Sequence, residues 1–301
     1  MEFISERFSG HESFVCRYGW ARKLYDAVIE SPEILRHDAL ATERLGVGRN
    51  MVRSVQFWGE SMGVIESATD SKGHTVGPVG ELLFGENGWD SYLENLESIW
   101  LIHWWICTRA NIAAWNAVFG DSSFMRFDKV DLIARLTRRG EGSTRTLVAS
   151  TIEQHCAIFL QSYVRGKDAI DDSLWCPLQD IKLLRMRVLP SGAVQYESTA
   201  TTPVGLTVRV FASSLVAYVR KHAQGRVSVP LHELLQSQDS PGAVFRLDES
   251  SLSDFLLQSE STFNGAIRLV DTSDTQSVVI DEDHMAGITD NFAFLDLVAH
   301  A

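Results

Sequence analysis

The chain has 301 residues, 45% of them hydrophobic and 22% charged, which excludes a disordered polymer and leaves length for two or three compact units. Its formal net charge of -12 excludes a protein that coats nucleic acid indiscriminately, because phosphate attraction dominates non-specific affinity. Cys16, Cys107, Cys156 and Cys176 form no CxxC pair or Cys/His cluster, and Met1 to Gly10 lacks the basic start and apolar run of a secretion signal, so reduced thiols in the cytoplasm are expected. The most apolar run, Ile99 to Cys107, is too short to span a membrane, which takes about twenty residues, and reads as a core helix.

In chain order, a helix is expected from Tyr18 to Glu30 and is broken at Pro32. Asp38 is placed to cap a short helix, Ala39 to Leu45, which Gly46 stops. After the turn Gly46-Val47-Gly48, a second helix runs from Arg49 toward Met62. Met51, Val55, Trp58 and Met62 fall on one side of it, while Arg49, Arg53, Gln56 and Glu60 fall on the other, with Asn50 beside them. Two helices joined by a tight glycine turn is the helix-turn-helix pattern. Arginine matches guanine and glutamine matches adenine in the major groove, and residues near the start of such a second helix reach base edges. Val64-Ile65-Glu66 and Thr75-Val76 read as a hairpin wing, with Lys72 and His74 near its tip as phosphate contacts. The alternative is an ordinary solvated helix face and loop.

Gly80 to Leu93 reads as a loop. Ser98 to Phe119 reads as one aromatic helix, whose Trp100, Trp104 and Trp115 belong to a core. Asp128 is placed to cap a helix from Lys129 to Leu136, and Ser143 one that runs to about Val164 with Val148, Ile152, Cys156, Phe159 and Tyr163 buried. Between them lies a basic stretch in which Arg138, Arg139 and Arg145 offer a second phosphate contact, against the alternative of a solvated loop. After Gly166, helices near Val210 to His222 and Glu249 to Gln258 alternate with strand-like runs at Val244 to Leu247, Ala266 to Val270 and Ser277 to Ile280. The resulting expectation is a mainly α protein with small β-hairpins (α+β) built from tandem winged helix-turn-helix-like units. The divisions are 1–93, a DNA-binding unit; 94–165, a helical unit; and 166–301, an α+β unit with a third winged helix and an acidic partner-binding surface.

No phosphate-cradling glycine loop, GxSxG elbow or recognisable cysteine nucleophile is present, which argues against nucleotide hydrolysis and that type of hydrolase. Asp271, Asp274, Asp281, Glu282 and Asp283 offer carboxylates for magnesium, with a charged loop as the alternative. In Phe8-Ser9-Gly10-His11-Glu12-Ser13-Phe14, His11 and Glu12 are candidates for metal ligation or general-base work in phosphodiester cleavage, against the alternative of a packed amino-terminal segment.

The segment FSGHESF with Arg17 and Gly19-Trp20, then LGVGRNMVRSVQFW, then LFGENGWDSYLE with His103-Trp104, together with Ser240-Pro241-Gly242, resembles the SspB-type family encoded beside bacterial DNA phosphorothioation genes. The resemblance covers most of the chain. It implies a subunit that nicks one DNA strand, using Mg2+, so that sulfur can replace a non-bridging phosphate oxygen. It implies as partners DNA, a cysteine desulfurase, an ATP-using sulfur-transfer enzyme and an ATPase, and a homodimer is a further expectation. It assigns no metal ligands, since no recognised nuclease motif falls on these positions. A DNA-binding adaptor or transcriptional regulator of the same system, without catalysis, is the alternative.

Overall fold

The computed structural model describes residues 6–68, 73–142, 146–165, 175–198, 203–222, 228–271 and 276–281. It is an α+β protein whose chain divides into two compact units: Met1–Ala117 with Arg126–Ser198, and Val118–Met125 with Thr199–Ala301. Among the described residues no helix is long and apolar enough to cross a membrane.

The first unit begins with helices α1 (Trp20–Glu30), α2 (Asp38–Leu45) and α3 (Arg49–Ser61). Gly46 ends α2 in the left-handed region, with φ 67°, where a side chain would strain the backbone. The three-residue turn that follows sets α3 against α1, and the antiparallel strands β1 (Ile65–Ser67) and β2 (His74–Val76) form a hairpin in the register Ile65 to Val76. The outer side of β2 meets the earlier chain, where the His74 amide donates to the Pro32 carbonyl at 2.9 Å.

The first residues of the stretch expected as loop, 80–84, belong instead to helix α4 (Pro78–Phe84), for which Pro78 in the first turn supplies a preset φ. Helix α5 (Leu96–Arg109) is buried from Ser98 to Cys107, as its even apolar pattern requires. The single long helix expected to Phe119 is instead interrupted. Asn111 turns left-handed at φ 50°, because the amino-terminal segment docks there: the Arg7 amide donates to the Asn111 carbonyl at 2.8 Å and the Ala113 amide to the Arg7 carbonyl at 3.1 Å. Helix α6 (Ala113–Phe119) follows.

Strand β3 (Arg126–Phe127) leads to helix α7 (Lys129–Gly140), which Asp128 caps through a reciprocal box with Asp131. Helix α8 (Ala149–Tyr163) and the hairpin β4 (Arg185–Val188) and β5 (Val194–Glu197) complete the unit. Helix α8 begins six residues after Ser143, the expected cap, which lies outside the described residues, and Val148, expected buried, is exposed just before it. The tryptophans join the halves of this unit. Trp58 on α3 meets Trp115 on α6 edge to face at 5.7 Å, and Trp115 meets Phe159 on α8 at 5.0 Å, so residues 94–165 share the core of the segment before them.

The second unit contains helix α9 (Val208–His222), strand β6 (Ser228–Pro230), helices α10 (Leu231–Gln236), α11 (Pro241–Phe245) and α12 (Glu249–Thr262), and the hairpin β7 (Ile267–Asp271) and β8 (Gln276–Ile280). The strand expected over Val244 to Leu247 is replaced by α11. Ser240 accepts from the Ala243 amide and Pro241 starts the turn, so local capping overrides the β-branched composition. Both three-stranded sheets have one order, β3-β5-β4 and β6-β8-β7. In each, a strand is followed by helices and then by a hairpin whose second strand pairs back to the first.

Arg246, 2% exposed, holds segment 118–125 in the second unit by donating to the carbonyls of Val118, Asp121 and Phe124. Arg246→Met keeps the aliphatic stem but leaves those carbonyls without these donors. It should cost about 3 kcal/mol, read as a lowered urea midpoint of the second unit, and an unchanged midpoint would show that the clamp is dispensable.

Candidate nucleic-acid interface

Helix α3 buries Val52, Val55, Phe57 and Trp58 and leaves Arg49, Asn50 and Arg53 exposed near its start. Arg49 pairs with Asp38 of α2 at 3.2 Å, but the two side chains are 71% and 48% exposed. Such a pair contributes about 0–1 kcal/mol and yields readily to a phosphate. Among the described residues no acid pairs with Arg53.

Gln56 and His74 are placed differently from the surface positions the helical period suggests. Gln56 donates to Glu60 at 2.9 Å, and the His74 ring, 8% exposed, has Nε2 at 3.2 Å from the same Glu60 oxygen and 3.3 Å from Gln56. Burial pushes the Glu60 carboxyl up, but hydrogen bonds from His74 and Gln56 and the positive field of Arg7 outweigh it and hold the group below the usual carboxylate range. Gln56 and His74 thus tie the hairpin to α3. The surface left for a ligand is Arg49, Asn50 and Arg53.

Of the second basic group, Arg138 is exposed in the last turn of α7, whereas Arg139 forks onto Glu6 through Nε at 2.9 Å and a terminal nitrogen at 2.5 Å. Arg139 therefore anchors the amino-terminal segment. Lys72 and Arg145 lie outside the described residues.

The segment from Phe8 to Phe14 is wedged between α3 and α8. Gly10 sits at φ 113°, where an added Cβ would stand 2.6 Å from the Phe57 ring. The Phe14 carbonyl accepts from Trp58 Nε1 at 2.9 Å and from Ser54 at 3.5 Å, and Gln154 of α8 donates to Ser13. His11, 2% exposed, stacks on His155 with its Nε2 3.2 Å from His155 Nδ1. The Ala114 amide donates to His155 Nε2 at 3.1 Å, so neutral His155 carries its proton on Nδ1 and gives it to His11. His11 Nε2 is then an occupied acceptor and Nδ1 bears the proton, so the Ser13 amide, 3.4 Å from Nδ1, faces a donor and makes no hydrogen bond there.

Burial holds both rings neutral. It lowers His11 to about 4, with the Arg7 charge adding to the effect, and His155 to about 3, with His11 adding to it. Glu12 is exposed, at φ 47° beside Ser13 at φ 68°, and makes no hydrogen bond to His11. Two successive non-glycine residues in the left-handed region cost on the order of 1–3 kcal/mol each, and strain of this kind gathers at functional sites. His11 and Glu12 are thus neighbours in sequence without being an acid-base pair in space, and the residue that partners His11 is His155, 144 positions away.

Among the described residues no three His, Cys, Asp or Glu side chains converge as a metal site. Of the late acids, Asp271 pairs across the hairpin with Gln276, while Asp281 follows the last pair at Ile280 and bonds to Ala266. At about 3.3 Å per residue they stand roughly 16 Å apart. Asp274, Glu282 and Asp283 lie outside the described residues.

Because both histidines are depressed below the value near 6.5 of an unfolded chain, their contribution to stability is complete above about pH 6.5 and is lost as the pH falls toward 4. Urea unfolding at pH 7, 6 and 5 should show roughly 2 kcal/mol or less lost per ring by pH 5. His155→Gln should show about half the wild-type slope, and a flat profile for the wild type would contradict neutral burial.

The sequence profile of DUF4007, a family of proteins of unknown function, matches residues 8–293. A search of curated protein sequences finds no match. Two solved structures are similar: a magnesium ion-bound crystal structure of SspB, with TM-score 0.82, and an SspB crystal structure, with TM-score 0.81. Each is 24% identical over 95% of this chain and 88% of that one. The chain belongs to the DUF4007 family and has the fold of SspB.

Proposed function

We propose that this chain is a DNA-binding component of a bacterial DNA phosphorothioation system, in which α2, α3 and the hairpin of β1 and β2 act as a winged helix-turn-helix. The observation that carries the reading is the exposed trio Arg49, Asn50 and Arg53 at the start of α3, of which Arg49 is held only by a solvent-exposed pair with Asp38, in a chain whose net charge is -12. The helix start offers its donors where major-groove readers offer theirs. The shared order of the two three-stranded sheets supports two further winged-helix-like modules, and the SspB fold supports the assignment to a phosphorothioation system. A cysteine desulfurase, an ATP-using sulfur-transfer enzyme and an ATPase are the partners this reading expects, with self-association into a homodimer.

Arg53→Ala should weaken binding to a duplex several-fold and reduce the salt slope of log K by about 0.9, the share of one phosphate contact. Fluorescence anisotropy across a salt series reads both. Unchanged affinity and slope would remove α3 as the contact face.

The catalytic part of the proposal is hydrolysis of one phosphodiester in one strand with Mg2+. Its support is the similarity to a magnesium ion-bound SspB. Since the described residues gather no carboxylate cage, a magnesium ion here would take one or two carboxylates, completed by water and DNA phosphate oxygens. A non-catalytic adaptor or regulator is the second reading, favoured by the separation of Glu12 from His11. Incubation of pure protein with supercoiled plasmid and Mg2+ decides between them: open circles lost on a single carboxylate substitution establish nicking, and tight binding with no open circles across several metals establishes the adaptor.

A further inference from the structure

Alternation along the strands and register across them determine what the β3-β5-β4 sheet shows to solvent. Arg126 on β3 and Arg185 on β4 both stand opposite Glu197 of β5, so the three side chains share one face. Arg187, two residues along β4 from Arg185, joins them. The other face carries Phe127, Tyr196, Met186, Val188 and Val194, with Phe127 and Tyr196 stacked at 5.9 Å, and helix α7 packs against β3 and β5. One side of the sheet is therefore apolar and the other is an arginine surface.

Glu197 organises that surface. It accepts from Arg126 Nε at 2.7 Å and from Arg187 at 3.2 Å, and these two guanidiniums, 67% and 63% exposed, roof a carboxylate that is itself 8% exposed. The hydrogen bond from Arg126 is the main cause that holds the Glu197 carboxyl below the usual range, so it stays ionised and keeps the two forks in place. Each guanidinium has five N–H donors, and most remain directed outward. Arg185 is exposed, and among the described residues no acid pairs with it. Three cations against one anion leave two positive charges on a small area of an otherwise acidic chain.

We propose that Arg126, Arg185 and Arg187 form a second DNA contact, a sheet-borne clamp for the sugar-phosphate backbone that reads no base. Arg126 and Arg185 are two strand spacings apart, about 10 Å, which is wider than one phosphate group and spans successive nucleotides that advance about 3.4 Å each along a duplex strand. The guanidinium fork matches two phosphate oxygens at once. A polyanion, with its charge repeated along a line, is the ligand chemistry that fits. The proposal rests on the reading that the chain binds DNA, and it adds a surface separate from α3.

The test uses the full chain and a labelled 30-base-pair duplex, with anisotropy measured from low to high salt. Arg185→Ala disturbs neither bond to Glu197. It should weaken binding about three- to tenfold and lower the salt slope by about 0.9, Arg185→Glu should weaken binding further, and Arg185→Lys should restore most of the slope. Equal melting temperatures of the variants confirm that the fold is kept. If Arg53→Ala weakens binding while Arg185→Ala and Arg185→Glu leave affinity and slope unchanged, the sheet clamp is overturned and the α3 reading stands. If the wild-type chain binds no duplex at any salt, both fall.

Discussion

The first unit depends on the wedge that Phe8 to Phe14 drives between α3 and α8. The hydrogen bonds from His155 to His11 and from Gln154 to Ser13 tie the amino-terminal segment to a helix more than 140 residues away, and the close passage of Gly10 over Phe57 seats it on α3. The wedge also satisfies groups that would otherwise be costly to bury. Trp58 Nε1 and Ser54 both find their acceptor in the Phe14 carbonyl, and His155 Nε2 takes the Ala114 amide. The pose of α3, and so the direction in which Arg49, Asn50 and Arg53 project, is set by a buried polar chain as much as by the tryptophan core. The two left-handed residues at its exposed turn are held against their intrinsic preference by these contacts on either side.

Much of the local structure was legible because its signals are local. The period of Val55, Trp58 and Met62 gives α3, Gly46 gives the turn, and Asp128 gives the cap of α7. What escaped depends on partners distant in the chain. Helical geometry alone places Gln56 outward, and only the return of the hairpin brings His74 to draw Gln56 and Glu60 into one network. The FSGHESF segment stands out by composition, yet nothing adjacent points to His155. Arg139 looks like a free surface cation until Glu6 arrives to take it. The hairpin from Arg185 to Glu197 was readable in principle, since alternating residues flank a Pro-Ser-Gly turn, but its arginine face appears only when β3 supplies Arg126 and the register fixes Glu197 between them.

If the chain binds DNA as proposed, its charge distribution is compatible with a polyanionic ligand despite the acidic total. Long-range repulsion from a net charge of -12 is screened within about 8 Å at physiological salt, so contacts at the surface answer to the local sign. On the proposed DNA-binding reading, acids elsewhere would discourage loose binding at random positions while leaving a correctly docked duplex in place, and affinity would be modest and strongly dependent on salt.

The Arg246 clamp has a consequence for synthesis on the ribosome. Segment 118–125 leaves the ribosome in the middle of the first unit's chain, yet the guanidinium that engages its carbonyls is made more than 120 residues later. At about 5–20 residues per second, the segment waits on the order of 6–25 s for its partner. During that interval residues 126–198 emerge and join the earlier helices, so the first unit can close while the chain that interrupts it is still unplaced. Neither unit can be cut out as one continuous piece of the sequence, and a boundary drawn at either end of the interruption would separate residues that belong to one core.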